Sequence, residues 1–204
     1  MTDTRDLFQI EVFDGVYPPS EDTYLLLDAV DFDIEDSVLE IGCGAGLGTV
    51  LAASRAHSVV GIDISLEAVR NTKKNIKQNH HEDNAEVFQT DLLSAVSTRS
   101  KFSIIIFNPP YLPADDSTTT MDHVHIGGRQ GSEITQKFIN QASKHLYDDG
   151  RLFVVVSNLA NIEAIAKTFQ EAGFQIEFVA EKSLFFEKIR VIKGVFRGHK
   201  ETVL

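Results

Sequence analysis

The sequence Asn-Pro-Pro-Tyr at positions 108–111 holds the residues best suited to chemistry. It follows an apolar run, 104–107, that is typical of a buried parallel strand. The tetrapeptide should therefore emerge at the carboxyl edge of a sheet, where open α/β folds bind their ligands. The two prolines donate no N–H and stiffen the turn, which leaves carbonyl oxygens available as acceptors. This rim suits a planar NH2 group, because the oxygens accept its hydrogens while the ring of Tyr111 stacks on its plane.

A glycine-rich turn forms a second candidate site. Glu40, Gly42 and Gly44 lie where an apolar strand, predicted at 37–41, comes to its end. Glycine permits positive φ and lets a ligand approach the backbone closely. The spacing does not follow the G-x-G-x-x-G pattern of dinucleotide sites, which weakens an NAD interpretation without excluding it.

Acidic residues also follow the next two predicted strands. Asp63 could accept both hydroxyls of a ribose. Asp91 could accept from the amino group of an adenine, with the backbone of Leu92 beside the ring. Each aspartate alone is equally consistent with a helix cap or an ordinary turn. Together with Glu40 they form an ordered series of acidic strand ends, which favours an adenosine-bearing ligand.

The elements that must position these residues alternate between strand and helix. This alternation predicts an α/β fold, and the short connection between the last two strands predicts an antiparallel pair. Residues 112–131 lack apolar periodicity and are interpreted as a long loop. The predicted strands are 37–41, 58–62, 85–89, 103–107, 152–156, 174–180 and 184–197, and the predicted helices are a capped one after Ser20 and those at 47–53, 66–79, 132–146 and 162–172.

Composition narrows the class of protein. With 204 residues, of which 43% are hydrophobic, the chain is expected to form a single domain over 1–204. Its 19 basic and 30 acidic residues give a net charge of -11, which disfavours a nucleic-acid substrate. Cys43 is the single cysteine, which favours a reducing, cytoplasmic location. No apolar stretch is long enough to predict a membrane segment.

Histidine and phenylalanine pairs are assigned structural roles. His80 and His81 close a solvated helix, and His123 and His125 lie in the long loop without a convincing set of further ligands, so no metal site is predicted. The pair at 185–186, Phe185 and Phe186, is predicted to alternate within the last strand and to belong to the core.

These motifs together resemble class I S-adenosylmethionine-dependent methyltransferases. More narrowly, they resemble the HemK-type protein N5-glutamine methyltransferases that modify class I translation release factors. The resemblance covers most of the chain and implies a Rossmann-like, mostly parallel sheet with an antiparallel C-terminal hairpin and helices on both faces. It rests on the ordered set Tyr17-Pro-Pro-Ser-Glu-Asp-Thr23, Leu39-Glu-Ile-Gly-Cys-Gly44, Asp63, Asp91-Leu92, Asn108-Pro-Pro-Tyr111 and Gly127-Gly-Arg129.

The resemblance assigns roles to individual residues. It implies that S-adenosyl-L-methionine is the cofactor and that Asn108 binds the substrate amide near the methyl donor. One departure lies in the glycine loop, where bacterial members have an acidic residue and this chain has Arg129-Gln-Gly131. The implied cofactor contacts are Thr23 at the methionine part, Glu40, Gly42 and Gly44 lining the site, Asp63 at the ribose, Asp91 with Leu92 at the adenine and Asn108 close to the methyl group.

The resemblance also implies partners. Because few residues precede Tyr17, the chain resembles the compact archaeal and eukaryotic branch, whose members need a small zinc-binding activator subunit paired with a sheet edge. The expected heterodimer could use the strand at 85–89, which contains no proline. An ordinary edge strand protected by neighbouring charges is the alternative.

The leading hypothesis is methylation of the glutamine side chain in the Gly-Gly-Gln motif of a release factor. In this hypothesis the Asn108 side chain and the carbonyl of Pro109 accept the two amide hydrogens, while Tyr111 stacks on the amide. One alternative is N-methylation of an exocyclic amine in RNA or DNA, since the same rim suits a nucleobase. Another is a non-catalytic subunit that binds S-adenosylmethionine.

Overall fold

A computed structural model describes residues 8–113 and 127–198. Seven strands form one sheet in the order β3-β2-β1-β4-β5-β7-β6. The first five strands are parallel, and β7 is antiparallel to both β5 and β6. This arrangement confirms the predicted mostly parallel sheet with an antiparallel finish. The elements are α1 (Glu21–Asp28), β1 (Ser37–Ile41), α2 (Leu47–Ala53), β2 (Ser58–Asp63), α3 (Leu66–Gln78), β3 (Ala85–Gln89), β4 (Phe102–Phe107), α4 (Glu133–Ala142), β5 (Leu146–Ser157), α5 (Ile162–Glu171), β6 (Phe174–Ser183) and β7 (Lys188–Phe196).

Helices cover both faces of the sheet. Side chains alternate between the two faces along a strand, so neighbouring residues of β4 belong to different cores. Ile105 packs in a cluster with Phe138 of α4 and Phe169 of α5. Ile104 packs in another cluster that includes residues of α1, α2 and α3. This double burial explains the continuous apolar run of β4, and it confirms the predicted two-sided architecture.

The register of the strands brings the candidate residues to one edge. Ile41 is opposite both Phe107 of β4 and Ile62 of β2. The glycine turn after β1 therefore lies between the Asn-Pro-Pro-Tyr turn and Asp63. From β1 the chain adds β2 and β3 on one side of the sheet, and it then adds β4 on the other side of β1. The order in which strands are added therefore reverses between β1 and β4. Ligands bind at such a switch point in open α/β folds.

The prediction for the region after α4 was wrong in its boundaries. Apolar periodicity extended the predicted helix to Leu146, but the helix ends at Ala142 and β5 begins at Leu146. Leu146 is buried and pairs with Phe102, whose N–H bonds to the His145 carbonyl, and the register between β4 and β5 then shifts. A buried leucine satisfies either element, so periodicity alone could not separate them.

The prediction that Phe185 and Phe186 belong to the core was also wrong. The last strand begins at Lys188, and both phenylalanines lie in the turn between β6 and β7. They are 92% and 85% exposed. The predicted alternation required a strand at these positions, but the backbone reverses direction there.

The described residues contain neither a helix suited to cross a membrane nor a cluster of three or more metal-ligating side chains. His80 follows α3 in the left-handed region, and His81 is partly exposed beside it. His123 and His125 fall outside the described residues. At the two borders of the sheet, β3 and β6 each pair with a single neighbouring strand.

Candidate active site

A cavity of about 1030 Å³ opens at the carboxyl edge of the sheet. Its size is at the upper end of the range for small-molecule sites, so it has room for a nucleoside-sized ligand together with a substrate group. It brings together every site residue that the sequence predicted. These are Thr23, Glu40, Gly42, Gly44, Asp63, Asp91, Leu92, Asn108, Pro109 and Tyr111.

The glycine turn exposes its backbone to the cavity. Gly42, Gly44 and Gly46 have φ values of 67°, 54° and 87°, which side-chain-bearing residues rarely adopt. The N–H groups of Gly42 and Cys43 both donate to the carbonyl of Ile62, at 2.8 and 3.0 Å. These bonds fasten the turn to the end of β2.

Asp63 is fixed by two backbone donors. The N–H of Gly44 donates to Oδ2 at 3.0 Å, and the N–H of Ser65 donates to Oδ1 at 2.8 Å. Each oxygen retains lone-pair capacity, because a carboxylate accepts about four hydrogen bonds. The carboxylate is thus oriented and able to accept a pair of hydroxyl groups.

Glu40 lies below the glycine turn and is 8% exposed. The Thr49 hydroxyl donates to its Oε2 at 2.5 Å. Burial raises the pKa of Glu40 to about 8, although the Thr49 hydrogen bonds oppose this shift. A neighbouring positive charge would lower this pKa again, so Glu40 can respond to a cationic ligand in the cavity.

We predict that Glu40 makes the protein less stable as pH rises. The folded pKa of about 8 lies above the usual value of 4.5, so the folded chain holds a proton that the unfolded chain has released. The contribution of protonated Glu40 to the free energy of unfolding is complete below pH 4.5 and is lost as pH rises through 8. In thermal melts, the Tm of the wild type should therefore fall more steeply between pH 5 and pH 8 than the Tm of Glu40→Gln. Parallel curves would contradict this, and exposed Glu82→Gln is the matched control.

The adenine side of the predicted site is more open. Asp91 is largely exposed and forms an ion pair with Lys137 at 3.5 Å, a cation that the sequence analysis did not assign to the site. Leu92 has a φ of 47°. A leucine in the left-handed region costs roughly 1–3 kcal/mol and is typical of functional sites. Leu92 adopts this strained conformation where it lines the wall of the cavity.

Asn108 presents an acceptor that the protein leaves without a donor. Its Oδ1 is buried and is one of two such side-chain atoms among the described residues, the other being the Thr135 hydroxyl. Leaving a buried acceptor unpaired costs about 1–3 kcal/mol. Within residues 8–113 and 127–198, the Pro109 carbonyl also receives no hydrogen bond. Two oxygens at the rim are therefore able to accept from a ligand N–H.

Tyr111 is oriented by a carboxylate that the sequence analysis did not single out. The hydroxyls of Tyr17 and Tyr111 both donate to Oδ2 of Asp22, at 3.0 and 3.4 Å. Burial and the Asp22 charge raise the pKa of both tyrosines, which keeps the hydroxyls protonated as donors. Beside them, the Thr23 hydroxyl accepts from the N–H of Ser20 at 3.4 Å. The signal for Asp22 was its place within the motif that begins at Tyr17.

Two glycines from the end of the long loop support the rim from behind. A Cβ on Gly127 would lie 2.4 Å from the Pro110 carbonyl oxygen, and a Cβ on Gly131 would lie 2.3 Å from that of Tyr111. The Gly127 N–H donates to the Leu112 carbonyl at 2.9 Å. The Asn-Pro-Pro-Tyr turn therefore depends on backbone contact at these positions.

We predict that Gly131→Ala displaces Tyr111 and lowers kcat at least tenfold, with cofactor affinity changed less than threefold. Gly131 has a φ of 69°, so alanine adds backbone strain as well as the clash. Gly198→Ala is the matched control, because Gly198 has a φ of 77° and nothing within 4 Å of an added Cβ. Steady-state kinetics and calorimetric titration make the comparison. Equal effects of the two variants would mean that strain, and not the contact with Tyr111, is responsible.

The fold and the site define a class of protein: a Rossmann-like α/β domain with a nucleoside-sized cavity and an acceptor-rich rim at the switch point of its sheet. The model of the methyltransferase small domain family matches residues 19–186. The chain is 34% identical to a putative protein N5-glutamine methyltransferase of Methanocaldococcus jannaschii, over 91% of this chain and 94% of that protein. It is 33% identical to the release factor glutamine methyltransferase of Lactococcus lactis, over 92% of this chain and 72% of that protein.

A solved structure gives the same result. The E. cuniculi Mtq2–Trm112 complex, responsible for methylation of the eRF1 termination factor, matches with a TM-score of 0.72 and 25% identity, over 89% of this chain and 99% of that chain. The chain belongs to the methyltransferase small domain family. The predicted resemblance to HemK-type N5-glutamine methyltransferases is confirmed.

Proposed function

We propose that this protein methylates the side-chain nitrogen of the glutamine in the Gly-Gly-Gln motif of a class I translation release factor, with S-adenosylmethionine as methyl donor. The observation that carries this proposal is the buried, unpartnered Oδ1 of Asn108 at the rim of the cavity. A primary amide supplies donors to such an acceptor and has a flat surface for Tyr111.

The cavity fits the proposed cofactor. Asp63 holds two acceptor oxygens toward it in a fixed position, which suits ribose hydroxyls, and Gly42 and Gly44 carry no Cβ that would block a ligand. Glu40 provides a carboxylate whose ionised form a cationic methionine group would favour, and Thr23 lines the same cavity. Asp91 and the strained backbone of Leu92 border the part assigned to adenine. S-adenosylmethionine supplies, when bound, a sulfonium methyl group that is open to attack by a nitrogen.

The residues of the rim would make a weak nucleophile effective. An amide nitrogen attacks poorly because its lone pair is delocalised into the carbonyl. In our proposal Asn108 Oδ1 and the Pro109 carbonyl accept the two N–H groups, which fixes the nitrogen and increases its electron density. Tyr111, oriented by Asp22, lies against the plane of the amide. Such positioning contributes roughly 7–11 kcal/mol in well-aligned systems. The nitrogen would form a bond to the methyl carbon as the bond between that carbon and the sulfonium sulfur breaks, which leaves S-adenosylhomocysteine. The nitrogen would then release one proton to water.

The choice of a protein substrate rests on charge and on the named relatives. A net charge of -11 disfavours a polyanionic substrate. Relatives in Schizosaccharomyces pombe and Lactococcus lactis carry names that specify methylation of eRF1 or of a release factor. Methylation of an exocyclic nucleobase amine is the second candidate, because the same two acceptors would suit adenine or guanine. A subunit that only binds the cofactor would have no use for the buried acceptor of Asn108.

The proposed assembly is a heterodimer with a small zinc-binding activator subunit. The E. cuniculi relative is a two-protein complex. Within the described part of this chain, β3 pairs with a strand on one side only, and it carries the half-buried side chains Val87 and Phe88. Unpaired edge strands are templates for strand addition. We further propose that residues 1–204 act as one catalytic domain and that the protein works in the cytoplasm.

Transfer of a labelled methyl group tests this function. The chain and its activator are incubated with labelled S-adenosylmethionine and a release factor, beside a release factor whose motif glutamine is changed to alanine. Label should enter the first protein only. Equal incorporation into both proteins, or strong labelling of RNA or DNA instead, would reject the proposed substrate.

A further inference from the structure

The turn between β6 and β7 displays two exposed aromatic rings. We call residues 184–187 the hairpin tip. The N–H of Leu184 donates to the Glu187 carbonyl at 2.7 Å, which leaves Phe185 and Phe186 as the central residues of the turn. Their rings meet edge to face with centroids 4.6 Å apart. The two side chains thus contact each other and are almost fully open to solvent.

Neither folding nor packing accounts for this pair. Tight hairpin turns favour small or polar residues such as glycine, asparagine and aspartate at their central positions, and a phenylalanine side chain has no part in forming them. The 92% and 85% exposure of the rings means that they contribute almost nothing to the core. Adjacent exposed phenylalanines are typical of a binding surface.

The hairpin tip is held firmly at the mouth of the cavity. The Ser157 hydroxyl, at the end of β5, donates to Oε2 of Glu187 at 2.7 Å. The N–H of Lys188 donates to Oδ1 of Asn158, also at 2.7 Å. Leu184 and Glu187 themselves line the cavity. The aromatic pair is therefore a preformed part of the rim and not a loose loop.

Strand order fixes how far the hairpin tip lies from the reaction. β5 alone separates β7 from β4, so the hairpin tip is offset from the Asn-Pro-Pro-Tyr turn by about two strand spacings, or roughly 10 Å, across the sheet. Along the strands, Phe107 is level with Ile192, six positions or roughly 20 Å from Phe186. An extended polypeptide covers the combined offset, roughly 22 Å at most, in about seven residues. By contrast, five spacings, or roughly 24 Å, separate β7 from β3, the edge assigned to the activator.

We propose that Phe185 and Phe186 dock the protein substrate by contacting an apolar side chain within about seven residues of the methylated glutamine. This inference rests on the proposed function. A polypeptide whose glutamine enters the cavity must lie across the rim, where the hairpin tip offers the two most exposed large apolar side chains among the described residues. The contact would supply affinity for a protein substrate and would discriminate against free glutamine and isolated nucleobases.

The test compares Phe185→Ser/Phe186→Ser with the wild type in complex with the activator. The KM for the release factor should rise tenfold or more. The affinity for S-adenosylhomocysteine and kcat at saturating substrate should change less than twofold, because neither ring touches the reacting atoms. Phe185→Leu/Phe186→Leu should restore most of the affinity. Phe178→Ser is the matched control, since Phe178 is 50% exposed on β6, and its KM should equal that of the wild type.

Other results would overturn the inference in distinguishable ways. An unchanged KM in an active double variant would reject the hairpin tip alone and leave the proposed function intact. Loss of the activator on purification, or a wild-type dimer that the double variant converts to a monomer, would assign the rings to those contacts instead. A wild-type enzyme that leaves the release factor unlabelled would overturn the proposed function and this inference together.

Discussion

Asn108→Ala is expected to lower kcat by about 10²–10³-fold, the loss that follows removal of one preorganised hydrogen-bonding group from an enzyme site. The substrate nitrogen would lose the acceptor that orients it and enriches its lone pair. Affinity for S-adenosylhomocysteine, measured by calorimetry, should change less than threefold. The free energy of unfolding of the variant should equal or exceed that of the wild type, because the variant no longer buries an unpaired acceptor.

The combination of results is what makes this variant informative. A protein that uses Asn108 only for structure would lose stability along with activity. Asn140→Ala is the matched control, because Asn140 is an exposed asparagine on α4. Turnover within threefold of the wild type would contradict the assigned role of Asn108, as would a loss of cofactor affinity that parallels the loss of kcat.

Asp63→Ala is expected to weaken S-adenosylhomocysteine binding by about 100-fold or more. Hydrogen bonds to a charged group contribute about 1.5–3 kcal/mol each, and the proposed ribose contact uses two of them. The variant also frees the N–H groups of Gly44 and Ser65, so the glycine turn loses an anchor. Calorimetric titration of the purified chain measures the effect directly.

Alanine variants of two further aspartates provide comparisons for this loss of affinity. Asp91→Ala should cost less than tenfold, because Asp91 is exposed and already shares its charge with Lys137. Asp83→Ala, in the exposed segment before β3, should leave affinity unchanged. If Asp63→Ala binds as tightly as Asp83→Ala, the ribose site must lie elsewhere.

Much of the sheet and the edge that carries the site could be predicted from the sequence. Strands β1 and β3 and helix α2 have their predicted limits, because each is a short apolar segment followed by glycine or a polar residue. The carboxyl ends of parallel strands share one edge, so locating the ends of β1, β2 and β4 was enough to bring Gly42, Asp63 and Asn108 together.

Contacts between distant segments of the chain could not be predicted from the sequence. Asp22 of α1 and Tyr111 of the turn after β4 are 89 positions apart in the sequence and meet only in the folded chain. Likewise, no local pattern reveals that Gly131 touches the Tyr111 carbonyl. Phe185 and Phe186 were misplaced for a related reason. Alternation of apolar residues predicts a strand, but the turn replaces two strand positions with exposed ones.

Mass spectrometry of the methylated product tests the central claim most directly. A release factor treated with the chain, its activator and S-adenosylmethionine is digested, and the peptide with the Gly-Gly-Gln motif is fragmented. The account predicts a mass increase of one methyl group on the side-chain nitrogen of the glutamine, absent when Asn108→Ala replaces the wild type. A methyl group on another residue, or an unmodified peptide beside methylated nucleic acid, would contradict it.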